Sequence, residues 1–146
     1  GSAPISPYRM PNDNRRWRWL AAVGAGPFSN LILAAVSAII LRIIGFQTIF
    51  TLPDIVQSIL LGMVFWNVLL FVFNLIPLFP IDGWHIVLAL LPPDLASTWQ
   101  RHAQTSQIVF IGLIFLSFIP LRGFPDILGV LISQPTYQIY QLLLGG

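Results

Sequence analysis

Residues 67–85 read Asn67-Val-Leu-Leu-Phe-Val-Phe-Asn-Leu-Ile-Pro-Leu-Phe-Pro-Ile-Asp-Gly-Trp-His85. Pro77 and Pro80 interrupt this otherwise apolar helical run, because each proline removes a backbone donor. Backbone groups freed at membrane depth are tolerated only where protein or a water-filled cavity satisfies them. Asp82 follows at once, and an ionisable group in such a position is a candidate functional group. The stretch therefore predicts a broken helix beside a wet pocket.

Gly83 adds a second feature to this pocket, since a residue without a side chain allows a sharp bend or a close backbone approach next to the carboxylate. A plainer interpretation stays open. Asp82 could be the N-cap of the helix that follows, and its carboxylate would then be occupied by backbone amides.

The composition of the chain is that of a membrane protein. Its 146 residues are 56% hydrophobic and 8% charged, with a mean hydropathy of +0.82, whereas a water-soluble domain carries about a quarter charged residues. The basic residues are all Arg, the acidic residues are all Asp, and Lys, Glu and Cys are absent. This chain therefore contains no glutamate base and no lysine or thiol nucleophile. The arginines flank apolar stretches, which excludes a nucleic-acid-binding face.

The apolar stretches predict the architecture. A helix of about 20 apolar residues crosses the hydrocarbon core of a bilayer. We expect a proline- and arginine-rich lead-in over residues 1–18 and a single membrane domain over residues 19–146. Within that domain the predicted spans are residues 20–41, 57–77 and 105–121. The uncharged C-terminal stretch contains Pro135 and predicts a re-entrant or interfacial helical hairpin over residues 125–144. The predicted fold class is an all-α, polytopic integral membrane helical bundle.

The arginines also predict an orientation. With the lead-in on the cytoplasmic side, five arginines lie inside and two outside, which agrees with the excess of positive charge found in cytoplasmic loops. The inside set is Arg9, Arg15, Arg16, Arg18 and Arg101, and the outside set is Arg42 and Arg122.

Two motifs carry a resemblance to a known family. Asn74-x-x-Pro77-x-x-Pro80-x-Asp82-Gly83 is similar to the Asn-Pro-Asp-Gly signature of the site-2 proteases, which are intramembrane zinc metalloproteases. Upstream, Ala25-Gly26-Pro27-Phe28-Ser29-Asn30 resembles the Ala-Gly-Pro-x-x-Asn motif of the same family, in the same order. The proline-rich lead-in resembles that of the compact bacterial and archaeal branch, so a bacterial or archaeal cell membrane is expected. The resemblance extends to about Leu91.

The resemblance implies a function and a set of site residues. In the family, two histidines of a His-Glu-x-x-His helix and the Asp of the Asp-Gly motif hold one zinc ion, and the Glu activates water. Asp82 matches the third metal ligand. The substrate-binding residues implied are Asn74, Pro77, Pro80 and Gly83. The expected activity is hydrolysis of peptide bonds in a membrane-protein substrate helix within the lipid bilayer. Asn74 has an alternative role as an interhelical hydrogen-bonding residue.

The two histidines of the chain lie in different sequence contexts. His85 lies three residues after Asp82 and would share its helix face, so it is a possible ligand that the family does not require. His102 lies beside Arg101 in a polar loop and is expected to be solvated.

One departure from the family limits the prediction. The chain contains no His-Glu-x-x-His, so we assign no catalytic residue to it and expect two zinc-binding histidines outside it. One explanation is that the chain is the carboxy-terminal part of a longer protease, since it begins at Gly1 without an initiator Met. The other is an inactive relative that acts as a membrane scaffold or regulatory subunit, since Trp84 stands where relatives often have a small residue. The expected partner is then the upstream catalytic segment or another membrane protein.

Overall fold

The computed structural model describes residues 13–119, 123 and 125–145, and every regular element in this part of the chain is an α-helix. The all-α prediction is confirmed for these residues. The helices are α1 (Asp13–Ile44), α2 (Phe46–Ile49), α3 (Asp54–Asn74), α4 (Asp82–Leu90), α5 (Pro93–Arg101), α6 (Ala103–Phe118) and α7 (Ile127–Leu144).

The first helix is longer than the sequence indicated. It begins at Asp13, inside the segment assigned to the lead-in, and residues 1–12 lie outside the described part of the chain. Residues 13–18 can be helical because the prolines of the lead-in all precede Asp13. At the other end Gly45 takes a φ of 89°, which few residues with a side chain adopt, and its amide bonds to the Leu41 carbonyl at 2.9 Å. This glycine ends α1.

The chain divides into two compact units, and α1 contributes to both. The first unit contains Gly1–Gly26 and Asn74–Asp126, and so includes α4, α5, α6 and the broken stretch quoted above. The second contains Pro27–Phe73 and Ile127–Gly146. Its core is formed by small and β-branched side chains at four-residue intervals, which lets two helices approach closely. These residues are Ala34 and Ala38 of α1 and Val64, Val68 and Val72 of α3, joined by Leu41 and Ile49.

Two helices are long and apolar enough to cross a membrane. They cover Arg16–Ile44 and Asp54–Asn74, and only 22% and 17% of their most apolar windows is buried within the protein. A core helix of a soluble protein would be mostly buried, so this exposed apolar surface favours a lipid environment. The helix at the third predicted span, Ala103–Phe118, is shorter and does not meet the same length. A third crossing therefore stays a prediction.

The C-terminal hairpin prediction is wrong in its expected form. Instead of two short helices, α7 runs as one helix from Ile127 to Leu144 with Pro135 inside it. Pro135 has no amide hydrogen to donate to the Leu131 carbonyl, but helices at membrane depth tolerate the loss of one such bond. At the next position the buried Thr136 hydroxyl donates to the Ile132 carbonyl at 2.5 Å. The helix thus continues through a residue that was expected to break it.

Candidate functional site

The break between α3 and α4 is the centre of the candidate site. Helix α3 ends at Asn74 and α4 begins at Asp82, which confirms the break expected from Pro77 and Pro80. Both prolines are exposed, Asn74 is half-buried, and the Phe79–Pro80 peptide bond is cis. The five predicted site residues therefore lie on one continuous segment, residues 74–83.

The connecting segment is held in a compact turn by its own backbone. The Leu78 amide donates to the Ile76 carbonyl at 2.9 Å, and the Ile81 amide donates to the Leu78 carbonyl at 2.8 Å. A third bond comes from outside the segment, because the Phe79 amide donates to the buried Ser106 hydroxyl of α6 at 3.0 Å. The turn is consequently an ordered part of the first unit.

Gly83 permits a close backbone approach at this turn. A Cβ atom built on Gly83 would overlap the carbonyl oxygens of Leu75 and Ile76. The start of α4 is thus packed directly on the backbone that follows α3, and only a residue without a side chain fits there. The close approach expected beside the carboxylate is present.

Asp82 is the first residue of α4, and it does not cap the helix. The N-cap position belongs to Ile81, and no side chain forms a capping hydrogen bond there. The N-cap interpretation of Asp82 is therefore wrong. The side chain is half-buried, and within the described residues no hydrogen bond or ion pair is found for it. Its position in the first turn is favourable for an anion because of the helix dipole.

The two sequence motifs meet at this carboxylate. A Cβ atom at Gly26, from the Ala25-Gly26-Pro27 motif of α1, would lie 3.3 Å from Oδ2 of Asp82. The missing side chain of Gly26 thus leaves room for the carboxylate against α1. The sequence identified this motif only by its family resemblance and did not indicate that Asp82 is the group it contacts.

The two histidines occupy different surroundings. The His85 ring packs edge-on against Trp19 of α1 and against Phe79, at centroid distances of 6.1 and 6.0 Å. His102 is exposed, as expected, and one of its ring nitrogens lies 2.8 Å from the Thr98 carbonyl. Among the described residues no group of three His, Asp, Glu or Cys side chains could hold a metal ion. The described part of this chain therefore contains no complete metal site, and the assignment of Asp82 as a metal ligand stays a prediction.

Three residues that shape the site were missed from the sequence. Ser106 holds the turn, and its only signal was a hydroxyl in an apolar helix. Trp99 of α5 donates its Nε1 hydrogen to the Trp84 carbonyl at 3.1 Å, and the two indoles stack with centroids 4.3 Å apart. Arg16 of α1 donates to two carbonyls at the end of α4. In the sequence Arg16 counted only towards orientation.

Comparison with known proteins supports a metalloprotease-like relationship. The chain is 33% identical over 103 residues to the protein named "Putative zinc metalloprotease YwhC" of Bacillus subtilis (strain 168). The match covers 68% of this chain and 46% of that relative, so the chain spans about half the length of the protein it matches. No protein-family model matches the chain. No solved structure matches it either.

Proposed function

We propose that this chain is part of a site-2-type intramembrane zinc metalloprotease and supplies the Asp ligand of its zinc ion. The observation that carries the proposal is the position of Asp82, half-buried at the start of α4 and in contact with the motif of α1. The order of the two motifs and the similarity to a Bacillus protein named a zinc metalloprotease support it. The substrates of such a protease are peptide bonds in membrane-embedded helices.

The chemistry of Asp82 suits this role. Zinc in catalytic sites takes three protein ligands from His, Asp and Glu and keeps one position for water, whose pKa falls to about 7. Asp82 would provide one oxygen ligand and a negative charge that offsets the metal in a low-dielectric setting. Two histidines and the glutamate base would come from a segment outside this chain, since the chain has no Glu.

The neighbouring residues would bind substrate. Pro77 and Pro80 keep the turn out of helical conformation. The amides of Leu78, Phe79 and Ile81 are already bonded, so an extended substrate strand would donate to carbonyls of the turn that no backbone amide occupies. Asn74 stands at the end of α3, where its amide could pair with substrate backbone or with a developing oxyanion. Gly83 keeps α4 close to the turn, and so keeps the carboxylate beside the strand-binding backbone.

The decisive experiment compares Asp82→Asn with Asp94→Asn in the protein purified from its native host. Asp94 is a matched control because it also lies in the first turn of a nine-residue helix and is exposed. We expect Asp82→Asn to lose bound zinc, measured by mass spectrometry of the metal, and to lose cleavage of a membrane-helix substrate. Asp94→Asn should retain both. Unchanged zinc content in Asp82→Asn would remove Asp82 from the ligand set.

The second candidate function is an inactive membrane scaffold or regulatory subunit, and the absence of Glu from the chain favours it. Trp84, a large residue where relatives often have a small one, gives little support to this candidate. That side chain is 3% exposed and stacks on Trp99 of α5. Purification from the native host separates the two candidates. A protein without zinc or peptidase activity, in a stable complex with another membrane protein, would identify the scaffold. A His-Glu-x-x-His in the contiguous coding sequence would identify the protease.

A further inference from the structure

The C-terminal end of α4 is held by a side chain of α1. Arg16 donates from Nε to the Ala89 carbonyl at 2.5 Å and from Nη2 to the Leu91 carbonyl at 2.7 Å. The sequence explains why the first acceptor is available. In a continuing helix the Ala89 carbonyl would accept from the amide of residue 93, but Pro93 has no amide hydrogen. The Arg16 guanidinium replaces that donor, and its positive charge suits the negative end of the helix dipole.

Three contacts in order show how α4 lies along α1. Starting from the first residue of α4, Asp82 lies against Gly26, His85 packs on Trp19, and the Ala89 carbonyl binds Arg16. The α4 numbers rise while the α1 numbers fall, so the two helices are antiparallel along this contact.

The spacing along the two helices agrees with this arrangement. At about 1.5 Å per residue, the ten residues from Arg16 to Gly26 span about 15 Å of α1, and the seven from Asp82 to Ala89 span about 10 Å of α4. The remaining difference of about 5 Å is within the reach of an extended arginine side chain. The Arg16 hydrogen bonds to α4 and the contact of Asp82 with Gly26 therefore mark the two ends of one packed interface.

We propose that Arg16 is a positioning residue for Asp82. Its two hydrogen bonds fix the position of α4 along α1 and thereby hold the carboxylate against Gly26. Ser106 joins the turn to α6, and Trp99 joins α4 to α5. Arg16 joins α4 to α1. The consequence for a metal site rests on the proposed function, but the placement of Asp82 can be tested without it.

The test uses the full chain in detergent and takes advantage of its lack of cysteine. Gly26→Cys and Asp82→Cys together create the only two thiols, and the rate of disulfide formation under mild oxidation reports how often the two positions meet. In this background we expect Arg16→Ala to slow disulfide formation about tenfold, because a hydrogen bond from a charged donor biases an equilibrium by at least that factor. Arg18→Ala, exposed and two residues along the same helix, should leave the rate unchanged.

A spectroscopic control reports whether the unit stays folded. The stacked indoles of Trp84 and Trp99 should give an exciton couplet in circular dichroism. If Arg16→Ala keeps the couplet and the parent rate, the proposal is overturned. If Arg16→Ala loses the couplet, Arg16→Lys decides, since lysine keeps a charged donor but not the two-pronged geometry. An intermediate rate in Arg16→Lys supports positioning, and the parent rate overturns it.

Zinc retention separates this inference from the proposed function. With Asp82 restored and the protein purified from its native host, Arg16→Ala should release zinc to a chelator at about one tenth of the concentration that the parent requires. Slower disulfide formation in a protein that binds no zinc would leave the Arg16 inference standing and refute the proposed function. The parent disulfide rate in a protein whose zinc depends on Asp82 would do the reverse.

Discussion

Gly83→Ala tests the packing on which the candidate site is built. The added methyl would overlap the carbonyl oxygens of Leu75 and Ile76, and neither oxygen can rotate away because both belong to the backbone. Either the turn or the start of α4 must shift. Forced overpacking of this kind costs about 1–3 kcal/mol and sometimes more, while exchanging glycine for alanine in a helix returns up to about 1 kcal/mol. We expect a net loss of stability of about 1–2 kcal/mol.

The measurement is thermal unfolding in detergent, followed by helical ellipticity and by the dichroism of the Trp84 and Trp99 pair. For a chain of this size a loss of about 1–2 kcal/mol lowers the unfolding midpoint by roughly 3–8 °C. Gly112→Ala is the matched control, because a Cβ at Gly112 in α6 meets nothing within 4 Å. It should leave the midpoint unchanged or raise it slightly.

A Gly83→Ala variant that is as stable as Gly112→Ala and keeps the parent dichroism would contradict this close packing. That result would mean that the turn after α3 moves freely enough to accept a side chain. Residues 75–81 would then not be an ordered support for Asp82.

Two further predictions concern single hydrogen bonds. Ser106→Ala leaves the Phe79 amide without its acceptor and should cost about 1–3 kcal/mol in the same unfolding measurement, whereas Ser58→Ala at an exposed position should change little; equal effects would show that the turn does not depend on Ser106. Pro135→Ala restores an amide donor inside α7 and should raise the unfolding midpoint, since an internal proline costs a helix about 3 kcal/mol; a lower midpoint would show that the helix needs its proline.

Local signals in the sequence were sufficient for the break and the close approach. Pro77 and Pro80 act on their own backbone, and Gly83 acts within a few residues of itself, so the pattern contains the information. The same rule gave the wrong result at Pro135, because the helix continues through that proline. A proline pattern predicts a missing donor, but it does not say whether the helix ends there.

The contacts that place Asp82 could not be predicted from the sequence. Arg16 and Ala89 are 73 positions apart, and Phe79 and Ser106 are 27 apart. The residues around each member of these pairs contain no signal that identifies the other member. The N-cap interpretation of Asp82 was reasonable from the residues alone, and it failed by one position because α4 takes Ile81 as its cap. Boundaries of this precision depend on tertiary packing, which here is set by the turn over Gly83.

The hydrogen bonds from Arg16 to the end of α4 also have a consequence for the order in which the chain folds. A helix of nine residues is too short to be stable alone. The Ala89 carbonyl near its end accepts a hydrogen bond from Arg16, which lies 73 residues earlier in the chain. During synthesis α1 is therefore complete long before the helix that it finishes, and closing that long loop carries an entropic cost that local helices avoid. We therefore expect the C-terminal end of α4, which accepts the Arg16 hydrogen bonds, to become ordered only after this loop has closed.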